Sequence, residues 1–153
     1  MSKVIRLIAV AALALSSPFA LAEGPAADPA LALTFKDPQL KWGPCPPFIP
    51  AGCEIAVLHG DPAKPNVDVF FKVPGNFTIP KHWHTSAERM VLVSGKLKVT
   101  YDGQNPTVLK VGTYAYGPAK LAHEATCMKG DPCVLFIAFE SPLDAVPTAG
   151  SGK

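Results

Sequence analysis

The chain is 153 residues long, enough for one domain of ordinary size and too short for two. Basic residues exceed acidic ones by 14 to 12, and two of the basic residues, Lys3 and Arg6, lie in the first 22 positions, which hold no acid. The remaining chain is formally neutral, which excludes the basic face that nucleic acid or an anionic membrane surface would require.

Met1–Arg6 carries the two positive charges, Leu7–Leu15 is an apolar run, and Ala20-Leu21-Ala22 follows as a small-x-small triplet. That order is the pattern of a cleaved secretory signal, and the run is too short to span a bilayer. Residues 1–22 are therefore expected to be removed on export, leaving a periplasmic or secreted protein. No later stretch is long and apolar enough to cross a membrane. Residues 23–50 are rich in Pro and Ala without a sustained period, which predicts an extended arm with at most one short strand.

From residue 51 to 143 the pattern is short β-type runs separated by Gly, Pro, Asn and Asp. Strands are predicted at Ile55–Leu58, Val67–Val73, Arg89–Val93, Leu97–Tyr101, Val108–Val111, Tyr114–Tyr116 and Val134–Phe139. Turn signals at this spacing, with no helical period, predict an antiparallel sandwich or barrel. Residues 144–153 (DAVPTAGSGK) are small, polar and turn-prone, the composition of a frayed tail.

Four cysteines in an exported chain favour disulfides over free thiols. Of the three pairings possible, the two local ones, Cys45–Cys53 and Cys127–Cys133, are favoured. A thiolate metal site is the rival, and neither pair has the C-x-x-C spacing that such sites use.

The residues with chemistry cluster. On a strand, His82 and His84 share a face, and Glu88 can reach the same cavity from the next strand. His123 lies on a later strand, so three imidazoles and a carboxylate can converge as ligands for a first-row metal ion. His59 precedes the turn Gly60-Asp61-Pro62 and reads as a loop residue. Met90 and Leu92 share the parity of Glu88 and are candidates for the cavity wall; Phe70, Phe77 and Tyr116 read first as packing residues. Trp83, Arg89 and Glu124 alternate with the ligands and should face away from the cavity.

The two segments resemble the two conserved motifs of the cupin superfamily, G-x5-H-x-H-x3/4-E-x6-G and G-x5-P-x-G-x2-H-x3-N. His82, His84, Glu88 and Gly95 match the first, with one extra residue between Gly75 and His82. Gly112, Pro118 and His123 match the second, while Lys120 replaces its Gly and Cys127 its Asn. Lys120 suggests a different turn after Pro118, because a left-handed backbone costs a side-chain-bearing residue about 1 kcal/mol.

The resemblance spans roughly residues 56–139. It implies an all-β double-stranded β-helix, or jelly-roll barrel, with one divalent Mn, Fe, Ni, Cu, Zn or Co ion on His82, His84, Glu88 and His123. A small-molecule substrate and a homodimer are implied with it. Two open positions on an octahedral ion would suit an oxidoreductase of dioxygenase or oxidase type, with Glu88 also serving as proton acceptor. A Lewis-acid lyase or isomerase of a sugar or organic acid, or a non-catalytic binding module, would use the same barrel.

Overall fold

A computed structural model describes residues 29–149. Internal contacts divide the chain into two units, Met1–Ala32 and Leu33–Lys153. The leader expected over residues 1–22 lies outside the described residues, and residues 29–32 carry no helix or strand.

The described part of the second unit is all-β. Its strands are β1 (Trp42–Pro44), β2 (Glu54–His59), β3 (Val67–Val73), β4 (Phe77–Trp83), β5 (Glu88–Ser94), β6 (Lys96–Tyr101), β7 (Thr107–Lys110), β8 (Tyr114–Gly117), β9 (His123–Cys127), β10 (Cys133–Phe139) and β11 (Val146–Pro147). They form two antiparallel sheets, ordered β1-β2-β3-β10-β5-β8 and β11-β4-β9-β6-β7. The expected jelly roll is thus present, and β1 is the single short strand of the arm.

Alternation builds the core. On β5, Glu88, Met90 and Leu92 are buried while Arg89, Val91 and Val93 are partly exposed; on β6, Leu97, Val99 and Tyr101 are buried. Rows of this kind from both sheets make one continuous core between them. A second, smaller cluster (Leu40, Ala56, Phe70 and Val134) packs with Leu33, Phe35 and Trp42 from the arm. The Lys72 ammonium sits 3.9 Å above the Trp42 ring and 2.7 Å from Glu54.

Both expected disulfides are present, and no described cysteine is free. Cys45–Cys53 closes the loop between β1 and β2. Cys127–Cys133 ties the end of β9 in one sheet to the start of β10 in the other. Replacing Cys127 and Cys133 together by alanine should destabilise the protein by about 2–3 kcal/mol, from the lost loop restraint and the two small voids left at buried positions. A fall of roughly 5–10 °C in thermal midpoint would register it, and an unchanged midpoint would show that the bridge restrains nothing.

Two expectations change. Residues 144–149 do not fray: β11 pairs with β4, matching Val146 with Trp83 and Pro147 with His82, and the Thr148 hydroxyl donates to the Lys81 carbonyl. Composition missed this because the anchoring is backbone pairing, which small residues allow as well as large ones; residues 150–153 lie outside the described residues. Lys120 also does not alter its turn. It adopts the left-handed backbone itself (φ 62°), and its N–H donates to the His84 carbonyl at 2.8 Å. That bond offsets the strain and pins the end of β4.

Candidate metal centre

The site begins with a break in regularity. β4 runs antiparallel to β9 with Ile79 opposite Ala125, but the next matched pair is His82 with His123, so β4 carries a bulge at Pro80–Lys81. Pro80 has no N–H to give to a ladder, which makes this the natural place for one. Ile79 already points inward, and a regular strand would turn residue 82 outward; the bulge reverses the parity and brings both His82 and His84 inside. It also absorbs the extra residue between Gly75 and His82.

His82 and His84 come from β4 and the residue just past it, and His123 from the first position of β9, all in the five-stranded sheet. Glu88 enters from β5, in the six-stranded sheet. All four are buried, at 5, 8, 7 and 4 % exposure for His82, His84, His123 and Glu88. One ring nitrogen from each imidazole lies within 4.8 Å of the others, a group that could hold a metal ion.

Each imidazole is fixed by a backbone carbonyl. The Nδ1 of His82 meets the Pro80 oxygen at 2.7 Å, that of His84 meets the Asp144 oxygen, and that of His123 meets the Leu121 oxygen at 3.2 Å. A carbonyl only accepts, so each Nδ1 carries the hydrogen, leaving the Nε2 lone pair for the cavity. His84 Nε2 is 3.3 Å from one Glu88 oxygen and His123 Nε2 is 3.6 Å from the other.

Those separations would suit ion pairs, but the electrostatics oppose charge. Burial pushes all three imidazoles down, and neighbouring histidines add to the fall for His84 and His123, which reach about 4 and about 3. Burial pushes the Glu88 carboxyl up to about 8. At neutral pH the metal-free site is therefore neutral throughout, with a protonated Glu88 able to donate to a bare imidazole nitrogen.

Three supporting residues were not legible from the motifs. Tyr101 sits opposite His123 on the neighbouring strand, its ring 4.9 Å from that imidazole. Its hydroxyl is the one fully buried side-chain polar atom among the described residues without a hydrogen-bond partner. The alternation Leu97-x-Val99-x-Tyr101 was the available signal, because it places a phenol in an otherwise apolar inward row. Ser86, in the β4–β5 turn, accepts from the N–H groups of Glu140 and Ser141 at 2.9 and 3.1 Å and ties Glu88's entry to the end of β10.

Asp144 is the third. Beyond its carbonyl's bond to His84, its carboxylate accepts from the Thr85 N–H at 2.9 Å and the Thr85 hydroxyl at 2.5 Å. No sequence signal marks it. Asp144→Ala should cost about 1–2 kcal/mol in stability, since two hydrogen bonds to a carboxylate are lost at a partly exposed position. It should also weaken metal uptake several-fold by loosening His84. Unchanged metal affinity in that variant would show that the carbonyl alone positions the ring.

The cavity in front of these groups measures about 70 Å³. Its remaining wall is apolar, including Ile79, Met90, Val99, Leu135 and Ile137, with Pro46 and Ile49 contributed by the disulfide-closed loop. Phe48 of that loop packs its ring 5.8 Å from His82. Met90 lines the cavity as expected. Leu92 is core without lining it, Phe77 and Phe70 pack in the two clusters, and Tyr116 and His59 are exposed. Trp83 is half-buried, Arg89 pairs with Glu140, and Glu124 is exposed.

The sequence model of the ChrR cupin-like domain matches residues 32–142, which is most of the chain. The protein belongs to the ChrR cupin-like family. Its barrel is similar to one chain from the crystal structures of the DMSP lyases RdDddP and RnDddQII (TM-score 0.63, 16% identity, covering 71% of this chain and 62% of that one). It is similar to the DMSP lyase DddQ from Ruegeria pomeroyi (0.63, 16%, 74% and 64%). It is also similar to a cupin 2 conserved barrel domain protein from Rhodopseudomonas palustris (0.60, 15%, 74% and 81%). The cupin chain thus spans slightly less than two thirds of the lyase chains, and at these identities the likeness is one of fold. No curated protein sequence matches it.

Proposed function

We propose that this cupin is an exported metalloenzyme holding one divalent first-row transition ion on His82, His84, His123 and Glu88, and acting as an oxidoreductase on a small oxygen-bearing organic molecule. The observation that carries it is the convergence of three Nε2 lone pairs, each preset by a carbonyl behind the ring, onto one buried spot faced by a carboxyl group. A divalent ion of the Mn-to-Zn series prefers such a nitrogen-rich, mixed donor set. When bound, it would supply Lewis acidity or electron exchange to an oxygen of the substrate.

The chain's own residues set the conditions. The apolar wall strips the substrate of water and strengthens every polar contact at the closed end. Glu88, once its proton has been displaced, can take a proton from the substrate. The two disulfides indicate an oxidising environment, in keeping with residues 1–22 as an export signal.

A lyase is the second reading, and Tyr101 favours it. A lyase needs a further acid or base beside the ligands, and the unpaired phenol in the cavity is one. The fold likeness to DMSP lyases agrees with this alternative. Metal analysis of protein exported to an oxidising compartment, followed by oxygen uptake with small acids, ketones and phenols, tests both. About one equivalent of metal with substrate-dependent oxygen uptake supports the oxidoreductase; turnover without oxygen uptake supports the lyase. Protein that neither contains nor accepts a metal overturns the proposal.

A further inference from the structure

The cavity is polar at one end only. Its polar side chains are the three histidines, Glu88, Tyr101 and Asp144, and Asp144 spends its carboxylate on Thr85. No Lys, Arg, Ser, Thr, Asn or Gln lines it. A polyol or sugar would bring several hydroxyls to a wall that cannot pair them, and each unpaired polar group costs about 1–3 kcal/mol.

Charge narrows the class further. A divalent ion with an ionised Glu88 leaves one unit of positive charge in an apolar pocket. A monoanion brings the site to neutrality, whereas a dianion leaves a buried negative charge with no cationic side chain to meet it. Size sets the last limit, because about 70 Å³ corresponds to roughly five water-sized positions.

The Tyr101 hydroxyl fits this scheme. It lies 2.6 Å, and a Glu88 oxygen 3.1 Å, from the point where a Cβ on Gly117 would stand, so the phenol reaches the metal end and only glycine at 117 leaves it room. A buried hydroxyl without a partner is rare in a native fold, and this one lines the cavity, where a ligand oxygen can accept its hydrogen.

We infer that the site takes a small monoanion with a two-oxygen head and an apolar body, a short-chain carboxylate, and that Tyr101 donates its hydroxyl hydrogen to the head. This deepens the function proposed above and rests on its metal assignment.

The test uses the purified protein with zinc added and its zinc content measured first. Calorimetric titration with isobutyrate, glycerate and malonate should give isobutyrate the tightest binding by at least tenfold. Tyr101→Phe should retain one zinc and a thermal midpoint no lower than that of the parent, since it deletes only an unpaired hydroxyl. It should weaken isobutyrate by about tenfold. Glycerate or malonate binding as tightly as isobutyrate, or no isobutyrate binding to zinc-loaded protein, overturns the ligand class while leaving the metal assignment intact. A Tyr101→Phe protein with unchanged isobutyrate affinity, or one that loses zinc instead, overturns the role given to Tyr101. Failure of the parent to take up zinc or any other divalent ion of the Mn-to-Zn series removes the metal assignment and this inference with it.

Discussion

Replacing His123 by alanine should lower the affinity for a divalent ion by roughly 10²–10³-fold, and His82→Ala should do the same. Four-ligand zinc sites hold their ion with about 10–16 kcal/mol, so each ligand accounts for roughly 2.5–4 kcal/mol, or two to three powers of ten in affinity. The effect should be large here because the donors are not interchangeable. His82 and His123 face each other across the β4–β9 ladder, with ring centroids 4.4 Å apart, and each ring is held by its own carbonyl. No spare imidazole can move in, since the fourth histidine of the chain, His59, is exposed at the end of β2.

Thermal unfolding with and without metal reads this out directly. Metal at a hundred times its dissociation constant should stabilise the parent by about 2.7 kcal/mol. The same concentration should barely move His123→Ala, and His59→Ala should behave like the parent. If His82→Ala and His123→Ala both keep full occupancy, the metal is held elsewhere. His123→Gln guards against a folding defect, because it fills the space while withdrawing the imidazole.

What the sequence made legible was whatever strict spacing controls. Strand periodicity placed Val67–Val73 and Val134–Phe139 within a residue of β3 and β10, and the short gaps between cysteines pointed to both disulfides. The H-x-H and x3-E spacings brought the imidazole and carboxyl positions together because alternation and a tight turn leave few other arrangements. What stayed hidden depends on geometry that spacing does not record. The Pro80 bulge was written in the sequence as a proline inside a strand and as an extra residue before His82. Lys120 concealed a left-handed turn under a residue that rarely adopts one. Asp144 acts through its carbonyl and lies sixty residues from the histidine it orients, so no local pattern could single it out. Tyr101 could be placed on the inward face, but that its hydroxyl lacks a partner follows only from the packed neighbours around it.

Glu88→Gln should separate the two demands placed on the carboxyl by moving stability and metal affinity in opposite directions. In the metal-free protein, loss of hydration raises Glu88 from 4.5 to about 8. Its stabilising contribution is full below pH 4.5 and is lost as pH rises toward 8, because the unfolded chain ionises first. Each pH unit in that window removes about 1.4 kcal/mol, a deficit on the order of 3 kcal/mol at pH 7. The histidines act oppositely: with His84 lowered to about 4 and His123 to about 3 from 6.5, their contribution is complete above 6.5 and fades as pH falls. Metal-free parent protein should therefore be most stable near pH 6.5 and weaken on the alkaline side through Glu88 alone. Glutamine cannot ionise, so chelator-treated Glu88→Gln should match the parent near pH 4.5 and exceed it by about 3–4 kcal/mol at pH 7–8. Metal binding reverses the ranking. Binding to the parent must displace the Glu88 proton, so its affinity should rise toward tenfold per pH unit below 8, whereas the variant should bind roughly 10²-fold more weakly and with little pH dependence above 6.5. Denaturant midpoints and metal titrations at pH 5.0, 6.5 and 8.0 measure both. Parallel stability curves for the two proteins would show that Glu88 ionises freely in the fold, and equal affinities would remove it from the metal's coordination.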